Sequence, residues 1–128
     1  MKRVLFVCVE NSNRSQIAEA FARIHGGSTL EAHSAGSRPS GVVNPKAIHA
    51  MAELGYDLNT HRSKSLDEIE GLSFDAVVTM GCGDSCPWVP AQRREDWQLA
   101  DPKHLDEVAY RAARDDISRR VAALLASL

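Results

Sequence analysis

The chain has 128 residues, 44% hydrophobic and 25% charged, which is ordinary for one globular domain with a single core. Its net charge is −2 and its basic residues are scattered, which argues against nucleic-acid binding. No apolar run is long enough for a membrane span, and the one at residues 4–8 is too short for a signal peptide. We expect one cytoplasmic, monomeric domain over residues 1–128, with no membrane partner.

The first half of the chain alternates strand-like and helix-like segments. Residues 4–7 predict a buried strand, a helix begins near Arg14 and ends at Gly26, and residues 30–34 predict a second strand. Asn44 and Pro45 predict the N-cap and first residue of a second helix. The apolar positions of the two helices are Ile17, Phe21 and Ile24, then Ile48, Met51 and Leu54.

The second half continues the alternation. Ser65 and Glu68 have capping-box spacing, which predicts a short helix. Residues 74–80 predict the clearest strand, and residues 97–99 a weaker fourth strand. The last helix is predicted to begin near Leu105, and its apolar face to carry Val108, Ala112, Ile117, Val121, Leu124 and Leu128.

This order predicts an α/β fold with a four-stranded parallel sheet flanked by helices. Ligands bind such sheets beyond the carboxyl ends of the strands. Cys8 follows the first predicted strand, Cys82 the third and Asp101 the fourth. We therefore expect these three residues at one edge of the sheet.

The segment from Cys8 to Arg14 has the pattern of an oxyanion cradle. Backbone N–H groups of a loop that enters a helix converge on one point, where the helix dipole adds positive charge. Arg14 adds a bidentate donor, and the same field favours a nucleophilic Cys8 thiolate, to which Ser15 can donate. The predicted substrate-binding residues are Val9, Glu10, Asn11, Ser12, Asn13, Arg14 and Ser15.

The alternative interpretation makes Cys8 a buried strand residue and Arg14 a solvated helix start. The strand before and the helix after favour the cradle. Glu10 is an objection, because an acidic side chain near an anion costs affinity unless it points away.

Cys82 and Cys86 form a candidate redox pair. Their Cα atoms would lie about 6 Å apart in a helical turn, within disulfide range, but about 13 Å apart if extended. Three cysteines cannot all pair within one chain, and zinc usually needs four ligands, so no metal site is expected. Two small buried loop residues are the alternative.

Asp101 precedes Pro102 and follows the predicted fourth strand. A carboxylic acid above the cradle can protonate a leaving oxygen. The alternative is that this Asp-Pro pair only forms a turn.

Together these residues resemble the thioredoxin-coupled arsenate reductases built on the low-molecular-weight protein tyrosine phosphatase fold. That resemblance implies a single domain with strands in flavodoxin-like order. The cradle is common to both groups, and the pair Cys82 and Cys86 points to the reductases. The matching segments are residues 8–20, 34–36, 44–47, 61–64, 82–87 and 101–102.

The resemblance implies a relay of three cysteines. Cys8 attacks arsenate held by Arg14, and Asp101 assists the loss of an oxygen. Cys82 attacks Cys8 and releases arsenite, and Cys86 then attacks Cys82 and frees Cys8. Thioredoxin, or glutaredoxin as in some relatives, reduces the resulting disulfide.

Two departures from the family pattern matter. Asn13 stands where many relatives carry a second cysteine. Some relatives bind potassium through residues that match Asn11, Glu19 and Ser34 plus an aspartate, whose place Lys64 takes. We expect no bound cofactor, and the Lys64 ammonium meeting Glu19 directly in place of the cation.

Other functions stay open at this point. Phosphate and sulfate would compete with arsenate, and weak phosphatase activity is compatible with the shared cradle. The closest alternative is a phosphomonoester hydrolase that uses Cys8, Arg14 and Asp101, with a redox-active cysteine pair. A non-catalytic oxyanion-binding or redox-sensing module is the third.

Overall fold

A computed structural model describes residues 1–81 and 89–128 of the chain. The strands are β1 (Lys2–Cys8), β2 (Leu30–Gly36), β3 (Phe74–Thr79) and β4 (Ala91–Asp96). The helices are α1 (Arg14–Gly26), α2 (Pro45–Ala52) and α3 (Glu107–Ala126). Single 3-10 turns cover Gly27–Thr29, Leu58–Thr60, Leu66–Ile69 and Pro102–His104.

The four strands form one parallel sheet in the order β2-β1-β3-β4, which confirms the predicted α/β fold with flavodoxin-like order. The chain passes from β1 to β2 on one side and then returns to β3 on the other side of β1, so the strand order reverses at β1. Cys8 is the last residue of β1 and pairs with Gly36 at the end of β2. The sheet therefore places Cys8 at the point where such folds bind ligands.

The core has two parts because successive β1 side chains point to opposite faces of the sheet. Val4 and Phe6 pack with the buried sides of the three helices. Leu5 and Val7 pack with Ile69 and other residues on the opposite face. Residues 4–8 are all buried, which fixes the start of the loop that follows β1.

The prediction of the fourth strand at residues 97–99 is wrong. The strand is β4 (Ala91–Asp96). Among the described strands it pairs with β3 alone, at the sheet edge, and most of its side chains are exposed. An edge strand needs backbone pairing but no apolar face, so its polar sequence hides it from a hydrophobicity pattern. Trp97 follows it, buried, and its backbone N–H donates to Thr79 at 2.8 Å.

The predicted apolar face of the last helix is right only in its second half. Ile117, Val121 and Leu124 are buried, whereas the Val108 side chain is 76% exposed. In the first half of the helix, Tyr110 and Arg114 are buried instead. Because these residues are polar, a pattern based on apolar residues does not identify this part of the buried face.

Three smaller predictions also change. Ile24 and Leu54 are about half exposed, at 46% and 49%. The short helix after Ser65 is a single 3-10 turn, Leu66–Ile69, in which the Ser65 hydroxyl accepts from Asp67. Among the helices of residues 1–81 and 89–128, none has the length and hydropathy to cross a membrane.

Candidate active site

The loop between β1 and α1, residues 9–13, wraps around one point at the sheet edge. Its carbonyl oxygens at Val9 and Ser12 accept hydrogen bonds from the N–H groups of Arg38 and Asn44, at 2.9 and 3.0 Å. These bonds turn the carbonyls toward the outer segment. The start of α1 follows this loop directly, and anion binding by its N–H groups stays a prediction.

Gly36 makes this loop geometry possible. A Cβ atom at Gly36 would lie 2.5 Å from the carbonyl oxygen of Val9 and 3.0 Å from the N of Asn11. Asn11 itself has a φ of 50°, a left-handed conformation that asparagine tolerates better than most residues. The end of β2 therefore has to be a glycine for the loop to pass over it.

Ser15 contacts the sulfur of Cys8. The Sγ of Cys8 and the Oγ of Ser15 are 2.8 Å apart, and Asn11 Nδ2 donates to the same Oγ at 2.8 Å. Because the Asn11 amide can only donate through Nδ2, the hydroxyl hydrogen of Ser15 is available to the sulfur. A hydroxyl donor favours the thiolate form that nucleophilic attack needs.

The orientation of Asn11 is set by two donors on its other side. Its Oδ1 accepts from Gln16 Nε2 and from the N–H of Lys64, each at 2.9 Å. With the oxygen so placed, the amide nitrogen must face Ser15. Gln16 lies in the matching segment 8–20, but the sequence assigns it no role, because its patterns contain no signal for a buried side-chain network.

Arg14 stands at the start of α1 and contacts the backbone on the other side of the site. Its Nη1 donates to the carbonyl oxygens of Met80 and Leu99, both at 2.7 Å. Gly81 lies against this guanidinium, since a Cβ there would be 3.2 Å from Nη1 and 2.7 Å from the Leu99 oxygen. One nitrogen of Arg14 thus anchors the guanidinium, and Arg14 also lines the cavity that contains Cys8.

A cavity of about 160 Å³ lies above Cys8. Asn11 and Ser15, which the sequence places among the substrate-binding residues, lie fully buried outside its lining. The carboxylate of Glu10 is 3.7 Å from the Lys103 ammonium, which offsets its repulsion toward an anion. The cavity is lined by Cys8, Val9, Glu10, Ser12, Asn13, Arg14 and Asp101.

Asp101 reaches this cavity from the segment after β4. Its carboxylate caps the turn Pro102–His104 by accepting from the Lys103 N–H at 3.1 Å. Asp101 therefore forms the turn that an Asp-Pro pair predicts, and it also lines the cavity with Cys8 and Arg14; its role as a proton donor stays a prediction.

Tyr110 of α3 is a neighbour of the site that sequence reasoning missed. Its hydroxyl donates to Asn13 Oδ1 at 2.7 Å. Burial, with a further contribution from the Asp101 charge, raises the pKa of Tyr110 well above its ordinary value, so it stays a neutral donor. Its position in the helix, one turn before Arg114, carries no pattern that distinguishes it from a core residue.

Behind the cradle lies a buried carboxylate, Glu19. Its oxygens accept from Ser34 at 2.6 Å and lie 3.6 Å from the Lys64 ammonium, the contact expected from the sequence. Burial alone would raise the pKa of Glu19, but the charges of His61, Lys64 and Arg23 and the Ser34 hydrogen bond outweigh it and hold the pKa below its ordinary value.

His61 is part of the same network, and its ring is uncharged near pH 7; its charge acts on Glu19 only in more acid solution, where the ring is protonated. Burial lowers its pKa below the ordinary 6.5, against the opposing effect of Glu19. Its Nδ1 lies 3.0 Å from Gln16 Oε1 and its Nε2 lies 2.6 Å from the Tyr56 hydroxyl. The neutral tautomer with hydrogen on Nδ1 satisfies both contacts, so Lys64 and Arg23 supply the positive charge near Glu19.

The groups that match the potassium ligands of some relatives already have protein partners in this network. Asn11 Oδ1 already accepts two hydrogen bonds, Ser34 donates to Glu19, and the Lys64 ammonium occupies the space beside that carboxylate. In residues 1–81 and 89–128, no three His, Cys, Asp or Glu side chains are grouped in a way that would hold a metal ion.

Cys82 and Cys86 lie outside the described residues. Gly81, the residue before Cys82 in the chain, is beside Arg14. The site described above consists of the cradle, Arg14 and Asp101.

Comparison with known proteins agrees with this geometry. The family model of low molecular weight phosphotyrosine protein phosphatases matches residues 3–128. A glutaredoxin arsenate reductase of Synechocystis sp. is 37% identical over an alignment that covers 100% of this chain and 99% of that protein.

Solved structures are similar over the same length. An arsenate reductase in the phosphate binding state has a TM-score of 0.90 and 38% identity, with 99% of this chain and 98% of that chain covered. A thioredoxin-dependent arsenate reductase of Corynebacterium glutamicum has a TM-score of 0.82 and 36% identity, covering 99% of this chain and 61% of that chain.

Proposed function

The chain belongs to the low molecular weight phosphotyrosine protein phosphatase family, and on this premise we propose that it is an enzyme that reduces arsenate to arsenite. The cavity above Cys8, which Arg14 and Asp101 also line, is the site proposed for the reaction. The observation that carries the proposal is the similarity to arsenate reductases over the whole chain, which favours reduction over the ester hydrolysis that the same cavity allows. Relatives that match it over nearly their whole length are named arsenate reductases.

The first step joins sulfur to arsenic. The Cys8 thiolate attacks the arsenic atom of arsenate, an oxygen leaves, and Asp101 supplies the proton that turns it into water. Arg14 and the loop N–H groups neutralise charge on the remaining oxygens. Phosphate and sulfate have the same tetrahedral shape, so we expect both to compete for this cavity.

The second step moves two electrons to arsenic. The Cys82 thiolate attacks the Cys8 sulfur, the sulfur–arsenic bond breaks, and its electron pair leaves with arsenic as arsenite. The Cys86 thiolate then attacks Cys82, which frees the Cys8 thiolate and leaves a Cys82–Cys86 disulfide. This relay rests on the spacing of the cysteines and on thiol chemistry, because both later cysteines lie outside the described residues.

An external dithiol has to reduce that disulfide and so return two electrons. We propose thioredoxin, because a disulfide between two protein cysteines is the kind of bond that dithiol exchange reduces directly. The named relatives include a glutaredoxin arsenate reductase and a thioredoxin-dependent one. Glutaredoxin with glutathione is therefore the alternative donor.

We also propose that the enzyme works without a bound metal or potassium ion. The Lys64 ammonium, 3.6 Å from Glu19, supplies the positive charge behind the cradle. The backbone N–H of Lys64 also donates to Asn11. Asn11 in turn donates to the Ser15 hydroxyl, which contacts the sulfur of Cys8.

A phosphomonoester hydrolase is the second candidate function. One observation favours it: Cys8, Arg14 and Asp101 line the same cavity, and these groups suffice for a cysteine-phosphate intermediate and its hydrolysis. That activity would not need Cys82 or Cys86.

Steady-state turnover separates the two functions. The purified chain would be assayed for NADPH oxidation with arsenate, thioredoxin and thioredoxin reductase, and for hydrolysis of p-nitrophenyl phosphate. We expect arsenate-dependent turnover with thioredoxin that exceeds ester hydrolysis. Ester hydrolysis without arsenate-dependent oxidation by either thioredoxin or glutaredoxin systems would instead support the phosphatase.

A further inference from the structure

Lys46 spans from the first turn of α2 to the segment that carries Asp101. Its Nζ donates to the carbonyl oxygens of Lys103 and Leu105, at 2.7 and 3.1 Å. These carbonyls lie at the end of the turn Pro102–His104, whose beginning is capped by the Asp101 carboxylate. Carbonyls at the end of a helical turn need donors, and here the ammonium of Lys46 is that donor.

The other end of Lys46 is fixed to the cradle. Its backbone N–H donates to Asn44 Oδ1 at 2.9 Å, and the Asn44 N–H donates to the carbonyl of Ser12 at 3.0 Å. The Ser12 hydroxyl in turn donates to the Val42 carbonyl at 2.8 Å. The backbone of Lys46 is thus held to the oxyanion-binding loop, while its ammonium holds the turn after Asp101.

A second lysine also approaches this turn, but its contact is weaker. The Lys103 ammonium is 3.7 Å from the Glu10 carboxylate, and the two side chains are 38% and 48% exposed. An exposed ion pair contributes about 0–1 kcal/mol. The two hydrogen bonds from the Lys46 ammonium, to the carbonyls of Lys103 and Leu105, restrain the turn more closely than this ion pair does.

We propose that Lys46 is a positioning residue for the reaction at Cys8, because it joins the Asp101 turn to the cradle and so sets the distance from the Asp101 carboxyl to the bound oxyanion. The inference rests on the proposed function, in which Asp101 delivers a proton. Asp101 itself is exposed. Burial of Pro102 holds the start of its turn, and the Lys46 ammonium holds the carbonyls of Lys103 and Leu105 that follow.

The size of the effect follows from the geometry of proton transfer. A general acid has to lie about 2.6–3.2 Å from the atom that it protonates. A displacement of about 1 Å costs up to about 10²-fold in rate. Loss of one tether would shift the turn by less than that, so we expect a slowing of about tenfold.

A double-mutant cycle tests the proposal on the full chain. Lys46→Met removes the donors and keeps the length of the side chain, and Asp101→Asn removes the acid but keeps an oxygen to cap the turn. We expect Lys46→Met to slow arsenite release about tenfold when Asp101 is present and to have no further effect with Asn at that position. Lys46→Arg, which keeps donors, should recover part of the rate.

Two measurements separate positioning from a general structural role. Phosphate affinity, measured by its protection of Cys8 from alkylation, should be unchanged in Lys46→Met. Lys2→Met removes the same charge at the opposite end of β1 and should leave the rate unchanged. Equal slowing by Lys46→Met with and without Asp101, or no slowing at all, would overturn the proposal.

The same cycle run on phenyl phosphate keeps this result independent of the reductase proposal. If the wild-type chain releases no arsenite but hydrolyses the ester, the reductase proposal fails. The coupling between Lys46 and Asp101 is then measured from the rates of hydrolysis, because the leaving group of the ester also needs an acid. A wild-type chain with neither activity would overturn both proposals.

Discussion

The sulfur of Cys8 and the hydroxyl of Ser15 lie 2.8 Å apart, and Asn11 donates to the same hydroxyl from its other side. The hydroxyl hydrogen is therefore directed to the sulfur. A hydrogen bond to a charged group contributes about 1.5–3 kcal/mol. This contact is the most direct stabilisation of a Cys8 thiolate in the described part of the site.

Ser15→Ala is expected to slow the reaction of Cys8 with iodoacetamide at pH 7 by about 10- to 100-fold, the rate change that corresponds to the loss of one such hydrogen bond. Arsenite release should slow by the same factor. Rates of alkylation measured by mass spectrometry check this. Ser118→Ala removes a hydroxyl on α3 that contacts His25 and serves as the control. Equal alkylation rates in the wild type and Ser15→Ala would contradict the assigned role.

Gly36→Ala is expected to abolish oxyanion binding, because its Cβ would lie 2.5 Å from the Val9 carbonyl that shapes the cradle. Phosphate protection of Cys8 from alkylation measures this directly. Gly55→Ala is the matched control: Gly55 has a φ of 80° and open space around it, so this change should lower stability by about 1 kcal/mol and leave protection intact. Normal protection in Gly36→Ala would rule out the close approach.

Lys64 is expected to make activity independent of potassium. At constant ionic strength, exchange of sodium for potassium should not change the wild-type rate. Lys64→Asp replaces the ammonium with a carboxylate beside Glu19 and should create a dependence on potassium, whereas Lys2→Asp, with the same charge change at the far end of β1, should not. Strong stimulation of the wild type would show that Lys64 does not replace the cation.

His61 is expected to make folding weaker in mild acid. Burial lowers its pKa below 6.5 in the folded chain, so the unfolded chain binds the extra proton. The unfolding free energy should therefore fall as pH drops below about 6.5, with a slope of at most about 1.4 kcal/mol per pH unit. Burial is the largest effect on the ring and disfavours its protonated form, as do the charges of Arg23 and Lys64. Glu19 favours the protonated form, but its effect is smaller than that of burial.

Urea unfolding between pH 5.5 and 7.5 measures this slope, above the range in which Glu19 takes up a proton in the unfolded chain, near its ordinary pKa of 4.5. His61→Gln should flatten the slope, and His104→Gln, an exposed histidine, should not. An unchanged slope in His61→Gln would contradict the buried neutral ring.

Much of the site is predictable because short-range sequence determines it. A buried strand, five residues and an arginine at a helix start place Cys8 and Arg14 on the same loop whatever the rest of the chain does. Asp101 is also placed at the right sheet edge, although the strand before it is misplaced. Parallel topology brings the carboxyl ends of strands together even where their bounds are wrong by several residues.

The remainder depends on long-range contacts that no local pattern encodes. β4 is recognised only through its pairing with β3, because its own side chains are mostly polar and exposed. The contacts of Arg14 with Met80 and Leu99, and of Tyr110 with Asn13, join residues far apart in sequence. Each becomes visible only when the sheet and helices are assembled.

The cysteine relay predicts distinct end states for two variants. Cys86→Ser should release arsenite once and stop as a Cys8–Cys82 disulfide, since no thiol remains to free Cys8. Cys82→Ser should not complete the relay. Peptide mapping under non-reducing conditions identifies the disulfide. Rapid thioredoxin-dependent turnover by Cys86→Ser would show that Cys86 is not needed.

The most direct test of the reductase proposal is a single turnover of the fully reduced chain with arsenate and no external thiol. Arsenite and free thiols are counted together. The proposal predicts about one arsenite released and about two thiols lost per chain, because two electrons leave as one disulfide forms. No arsenite with all three thiols retained would contradict it.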